Sequence, residues 1–377
     1  MPEHLINLRQ SLHQYPELAG EEKQTAESIR KYLSKLKNAE IISNIGGHGM
    51  AVVFNFSMDG PVVLLRAELD ALPIPEENNF SYKSVIEGKS HKCGHEGHMT
   101  ILCGIAEWLD KSDLKKGKVI LLFQPAEETG EGAERVLKDD VFINKLQPDY
   151  AFALHNLPGY NMHDIVVIDG VFTPDVRSLG IYLKGLKSHA CEPEKGINPS
   201  VCISELVLEL DKLNHPQIQS PDFALLTPVY GLIGSKAYGI SAGDGEIHYT
   251  IRTASKDTMQ VLINNIKSVI KKLTDKHNLS FKINWFDHFP LTINHSLCNE
   301  IIRKAAVNNE FTIVDQDEFI KFGEDFGWFS QNYPSSMFGI GAGKETPPLH
   351  NPAYDFPDEL IPTGINMFKG IIEEILD

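Results

Sequence analysis

Three imidazoles, a thiol and a carboxylate fall within eight positions at His91-Lys92-Cys93-Gly94-His95-Glu96-Gly97-His98. Imidazole nitrogen and thiolate sulfur are preferred ligands of zinc and similar divalent ions. The apolar helix expected from about Met99 onward would place a helix N-terminus, which favours a thiolate, beside the cluster. A polar loop with surface histidines is the plain alternative. A structural zinc site fits less well, because it would want a second Cys-x2-Cys or His-x3-His pair nearby and none follows. The next chemical feature is Phe123-Gln124-Pro125-Ala126-Glu127-Glu128, directly after an apolar run. Adjacent carboxylates at a strand end point in different directions, so one can bind a metal while the other meets substrate or water; a charged surface loop is the alternative. In open α/β sheets, ligands bind beyond the carboxyl ends of the strands. Asp70, in Arg66-Ala67-Glu68-Leu69-Asp70, and the pair His155-Asn156 fall at the same kind of place. By themselves, His350 between prolines reads as a loop histidine, His189 as an exposed turn and Arg252 as one half of a surface ion pair.

The elements that must position these residues follow from periodicity. Amphipathic helices are expected at 3–13 and 22–36, strands at 51–56, 62–66, 119–124 and 150–155, and helices at 100–109 and 131–137. This alternation predicts an α/β sheet packed by helices on both faces. From about 180 the pattern becomes strand 180–186, helix 200–213, strands 224–233 and 245–252, helix 257–276 and strand 279–287. That is β-α-β-β-α-β, the order of a small α+β ferredoxin-like sandwich. The expected organisation is a discontinuous catalytic domain at 1–174 and 288–377 with an inserted domain at 175–287.

The chain has 377 residues, 42% of them hydrophobic, enough for sizeable cores, and a formal net charge of -16 that argues against nucleic-acid and membrane-surface partners. The five cysteines, Cys93, Cys103, Cys191, Cys202 and Cys298, are odd in number and widely spaced, which is no disulfide framework and points to a reducing compartment. The polar N-terminus lacks signal-peptide character, and no apolar run reaches the roughly 20 residues of a membrane span. A cytoplasmic protein is the expectation.

The segments His13-Gln14-Tyr15-Pro16-Glu17, Arg66–Pro73, His91–His98, Gln124–Glu128 and Leu154-His155-Asn156 run in one order with Ser188-His189-Ala190, Ile251-Arg252-Thr253, Gly323-Glu324-Asp325-Phe326 and Leu349-His350-Asn351-Pro352. Together they resemble the M20 metallopeptidase and amidohydrolase family, in its aminoacylase-like branch of hippurate hydrolases, N-acetyl-diaminopimelate deacetylases and auxin-conjugate hydrolases. The resemblance implies a mixed-sheet, zinc-peptidase-like catalytic domain carrying an inserted lid and dimerisation domain. It implies two divalent metal ions per subunit, zinc or manganese first, nickel or cobalt next, held by Cys93, His95, Glu128, His155 and His350. Glu127 matches the general base, His189 the residue that reaches toward the oxyanion, and Asp70 a carboxylate that orients a ligand histidine. Arg252 and Asn156 stand where substrate is held. The implied activity is hydrolysis of the amide bond of an N-acyl amino acid by a homodimer, with a dipeptidase or carboxypeptidase acting on a short peptide as the alternative within the family. A thiol hydrolase using Cys93 is the alternative from another class. The sequence departs from the branch at Glu68 and Glu96, where Asp is usual, and at Glu194 and Asn198, where His and Asp are usual.

Overall fold

The computed structural model describes residues 2–377. The chain divides into two compact units, the first made of Met1–Phe172, Thr292–Phe319 and Glu324–Asp377, the second of Thr173–Leu291 and Ile320–Gly323.

The first unit is built on an eight-stranded mixed sheet. Its central strands are Lys116–Gln124, Met58–Glu68, Tyr150–Leu157 and Ser335–Gly341, neighbours in that order and all parallel. They read as near-continuous apolar runs because both faces are covered, and every residue of Ser335–Gly341 is buried. Gly49–Asn55 and Glu40–Ile45 extend one side antiparallel. Ile165–Val167 and Ile313–Asp315 extend the other. Along Met58–Glu68 the side chains alternate between faces. Val63, Leu65 and Ala67 join a core shared with Met99, Leu102 and Ile105 of helix His95–Leu109 and with Met367 and Ile371 of helix Leu360–Leu376. Leu64 and Arg66 take the opposite face by the same alternation.

The second unit has a four-stranded antiparallel sheet, in the order Ala224–Ile233, Asp244–Thr253, Asp175–Lys184, Ser280–Phe289. Helices Ser200–Asp211 and Lys256–Lys276 supply Cys202, Leu206, Ile266 and Ile270 to a core with Leu179, Ile181, Ile247 and Ile251. The longer helix starts at Ser255, whose side chain accepts from the N–H of Thr258 at 3.0 Å, an ordinary N-cap.

Several features differ from the sequence expectation, among them the central strand Ser335–Gly341, for which no element was expected. Strand Glu40–Ile45 was not anticipated; it is a mostly exposed edge of polar character, with no apolar alternation to reveal it. The helix expected from about Met99 begins at His95 instead. Gly94 sits at φ 96°, a left-handed conformation open to glycine, and its carbonyl accepts from the N–H groups of Gly97 and His98. The metal-ligand motif therefore runs into the first helical turn rather than ending before it.

The helix also approaches its neighbour closely at Gly97, where an added Cβ would lie 2.4 Å from the Phe356 ring. Glycine to alanine inside a helix ordinarily stabilises by about 1 kcal/mol. Here overpacking, which costs about 1–3 kcal/mol, outweighs that gain. Gly97→Ala is expected to lower the urea midpoint with no change in the slope of the unfolding curve. A raised midpoint would show that the Phe356 ring yields freely.

Candidate metal centre

The parallel strands of the first unit open their carboxyl ends along one edge, and the chemistry collects there. Glu68 ends one strand, His155 lies near the end of another, Glu127 and Glu128 follow Gln124, and His350 lies in the segment after Gly341. Cys93 and His95 enter from the start of helix His95–Leu109.

Cys93 Sγ is 3.4 Å from His155 Nε2. His95 Nε2 stands 3.8 Å from Glu127 Oε2 and 3.9 Å from Glu128 Oε1. His350 Nε2 stands 3.7 Å from Glu128 Oε2. Ligand atoms lie within 4.8 Å of one another in each of three groups: Cys93, His95 and His155; Cys93, Glu128 and His350; and His95, Glu127 and Glu128. The groups overlap at Cys93, His95 and Glu128, which is the arrangement two neighbouring cations would need. Glu68, His95 and His98 form a similar group. There, however, Glu68 Oε1 accepts from Arg66 and Oε2 accepts from His98 Nδ1 at 2.6 Å, so Glu68 belongs to the frame.

The imidazoles are set as ligands. His95 Nδ1–H donates to the Asp70 carbonyl at 2.9 Å, and His155 Nδ1–H to the Asn156 carbonyl at 2.9 Å. Each bond fixes the tautomer that leaves an Nε2 lone pair facing the cluster. Burial pushes His95 down to about 3 and His155 well below its usual value, so both are neutral. The acids move the other way. Burial, then Glu324 and Glu128, pushes Glu127 well above the usual carboxylate range, and burial with Asp70 does the same to Glu128. Burial and the surrounding carboxylates hold Cys93 as a thiol. Glu128 Oε1 and Asp70 Oδ1 are buried acceptors with no hydrogen-bond donor. Orphaned acceptors, neutral imidazoles and a thiol around one space are a donor set for divalent cations.

Asp70 acts on the ligands by two routes. Its carbonyl orients His95, whereas its carboxylate, 3.8 Å from His95 Nδ1, accepts the Glu128 N–H through Oδ2 at 2.8 Å. Burial pushes this carboxyl up to about 7. Asn156 is engaged with the protein: Oδ1 lies 2.6 Å from His98 Nε2, and Nδ2 donates to the Cys93 carbonyl at 3.1 Å and the Tyr354 hydroxyl at 2.5 Å. Its amide braces the loop that carries Cys93, with a second lone pair remaining on Oδ1. In the second unit, His189 pairs across a short ladder with Ile240, is exposed, and accepts the Cys191 N–H at 3.2 Å through Nδ1. Arg252 ends strand Asp244–Thr253 and donates from Nε to the Lys321 carbonyl at 3.1 Å.

Two charged frames around the cluster were not identified from sequence. In the first, the buried Arg66 ties Glu68, Glu324 (2.9 Å) and Asp325 (2.6 Å) together, and Gln124 Nε2 donates to Asp325. The Asp325 N–H lies 3.4 Å from Glu127 Oε1. In the second, His13 donates from Nδ1 to Glu96 and from Nε2 to Glu76, each at 2.7 Å, and Arg9 bonds Asp355 and Asp358. Arg66 with Glu324, and His13 with Glu96, are far apart in sequence, and no spacing rule joins them.

The profile described as peptidase family M20/M25/M40 matches residues 64–374. The chain is 31% identical over 374 residues to N-acetyldiaminopimelate deacetylase of Bacillus pumilus strain SAFR-032, covering 99% of this chain and 98% of that one. It is 28% identical over 375 residues to N-acetylcysteine deacetylase of Bacillus subtilis strain 168, covering 99% and 97%. Among solved structures it resembles a dinuclear metal-binding peptidase of the M20 family from Bacillus subtilis, at TM-score 0.83 and 26% identity, over 99% of this chain and 98% of that one.

The His13 frame has a measurable pH signature. Burial opposes a charged ring, yet the hydrogen bonds to Glu76 and Glu96 raise His13 to about 9. A raised histidine contributes stability that is complete below its unfolded value near 6.5 and lost as pH rises through about 9. The contribution is on the order of 3 kcal/mol. His13→Asn should be less stable than the parent at pH 6, with the gap closing by pH 9.5, in chemical denaturation. A gap of constant size would show that His13 acts by packing alone.

Proposed function

Because the chain belongs to peptidase family M20/M25/M40, we propose that it is a metal-dependent amidohydrolase that removes the acyl group from an N-acyl amino acid. The observation that carries this reading is the overlap of the Cys93, His95, His155 group with the Cys93, Glu128, His350 group, with Glu127 standing beside it. Full-length similarity to two deacetylases of small N-acetylated amino acids supports the substrate class.

Cys93, His95, Glu128, His155 and His350 would hold two divalent cations, zinc or manganese. When bound, these would acidify a water and polarise the acyl carbonyl. Glu127 takes the proton of the attacking water. Its raised affinity for protons, imposed by burial beside Glu324 and Asp325, suits a group that holds that proton and then delivers it to the leaving amine. Asp70 keeps the ligand set fixed, through its carbonyl on His95 and its carboxylate on the Glu128 N–H. His189 is the donor proposed for the developing oxyanion. Arg252, half-buried with its Nε on a carbonyl, is proposed to hold the substrate carboxylate. A nucleophilic role for Cys93 is disfavoured, because its surroundings raise the thiol rather than release a thiolate.

The five cysteines are unpaired, which supports a reducing, cytoplasmic setting. No helix among the described residues is long and apolar enough to cross a membrane. Homodimerisation through the second unit is supported by exposed apolar residues along its edge strand, Val229, Tyr230, Leu232 and Ile233.

The first test is turnover of N-acyl amino acids and dipeptides by protein purified without chelator, then with EDTA, then with Mn2+ or Zn2+ restored. Cleavage of acyl amino acids that EDTA abolishes and metal restores is expected. Chelator-resistant cleavage would end the proposal. Glu127→Gln should keep its metal while kcat falls by about 10²–10⁴-fold; near-normal turnover would remove Glu127 from the proton path. His189→Ala should lower kcat with metal content unchanged, and loss of metal would instead make His189 a ligand.

A further inference from the structure

Glu22 lies outside every expected site, yet it is wholly buried. Its Oε1 accepts two backbone N–H groups at 2.8 Å, from Gly20 and from Ala126. Ala126 is one of the few non-glycine residues with a left-handed backbone, at φ 52°, and it immediately precedes Glu127 and Glu128. Its carbonyl is also used, accepting from the Gly132 N–H at 3.0 Å. A left-handed alanine is strained, so this turn persists only where its surroundings impose it. With Ala126 in this conformation its N–H points into the protein interior, where an unpartnered donor is costly. Glu22 supplies the acceptor. Two positions on, Asp70 accepts the Glu128 N–H. The two carboxyl groups thus grip alternate amides of residues 126–128 from behind, while the Glu127 and Glu128 side chains project toward His95.

We infer that Glu22 is a positioning residue for this reaction: through the Ala126 N–H it holds the left-handed turn that aims Glu127 at the attacking water and Glu128 at the cations. The inference rests on the amidohydrolase reading. Without the acceptor the Pro125–Ala126 peptide relaxes toward the right-handed region and Glu127 leaves its place beside the Asp325 N–H. A displacement near 1 Å is enough to cost about 10²-fold in rate.

The experiment compares the parent with Glu22→Met, which keeps the volume and lacks the acceptor, Glu22→Gln, which keeps an acceptor oxygen, and Leu33→Ala, a buried control at the far end of helix Lys23–Leu33, which Glu22 precedes. Each is measured for melting temperature, Mn2+ affinity, and kcat and KM on an acyl amino acid that the parent cleaves. Glu22→Met is expected to lose about 10–100-fold in kcat at saturating Mn2+ and to bind Mn2+ about 10-fold more weakly, with KM changed less than about 3-fold. Glu22→Gln should restore both. Leu33→Ala should melt earlier with kcat unchanged. Adding Ala126→Gly to Glu22→Met should recover part of kcat, since glycine takes the left-handed turn without strain. Unchanged kcat and Mn2+ affinity in Glu22→Met, or an equal loss in Leu33→Ala, would overturn the inference. If Glu22→Met does not fold, Glu22→Asp, too short to reach Ala126, is read in the same way. If the parent cleaves no acyl amino acid, the amidohydrolase reading fails, and Mn2+ affinity alone then decides whether Glu22 positions the turn.

Discussion

The structure depends on a concentration of buried negative charge. Glu68, Asp70, Glu127, Glu324 and Asp325 are buried, and Glu128 nearly so, at the carboxyl edge of the parallel strands. Burying a carboxylate without compensation is expensive, and such groups pair, take up protons or bind metal. One guanidinium, that of Arg66, is buried among them and pairs with Glu68, Glu324 and Asp325. It leaves Glu127 and Glu128 unbalanced, and burial pushes both upward. The same excess that would weaken an ordinary core suits this edge to divalent cations, and burial with the neighbouring carboxylates holds Glu127 above the usual carboxylate range.

The fold makes that excess tolerable by holding every loop to another loop. The Glu128 N–H is held by Asp70, the Ala126 N–H by Glu22, the Ala133 N–H by Asp325 and the His350 N–H by the Lys92 carbonyl. These segments are separated by long stretches of chain, yet each is tied to a neighbouring segment by a backbone hydrogen bond. The start of helix His95–Leu109 lies at Cys93 and His95, and the positive end of its dipole adds a further contribution of the sign the site needs.

Much of this was legible in the sequence because it is local. Three of the central strands are apolar runs, so they and the strand ends that carry Asp70, Glu127 and His155 could be placed from pattern, whereas the fourth, Ser335–Gly341, was not. The crowding of three imidazoles, a thiol and a carboxylate within His91–His98 marks a candidate metal cluster without any partner being known. What remained hidden depends on tertiary proximity. Arg66 and Asp325 look like ordinary charged residues until the sheet brings them to 2.6 Å. Glu22 falls at the start of the helix expected at 22–36 with nothing to mark it out, yet Glu21 is exposed and Glu22 has no accessible surface. The bracing contacts of Asn156 were hidden for a related reason: both ends of its amide meet residues distant in sequence, His98 and the Cys93 carbonyl.

The two departures at Glu68 and Glu96 follow from the same logic. Glu68 spans two partners, Arg66 from one oxygen and His98 from the other. An aspartate, shorter by one carbon–carbon bond of about 1.5 Å, would have to draw one of them inward to keep both. Glu96 reaches from the first turn of its helix to His13 on another helix, at 2.7 Å. In both cases the added methylene extends a bridge inside the frame, and the atoms that line the cation space belong to other residues. The longer acids therefore set how far apart the framing elements stand, and neither belongs to the proposed donor set of Cys93, His95, Glu128, His155 and His350. Glu194 and Asn198 stand outside this frame, in the segment of the second unit that carries His189, where they change the charge and hydrogen-bonding character of an exposed surface.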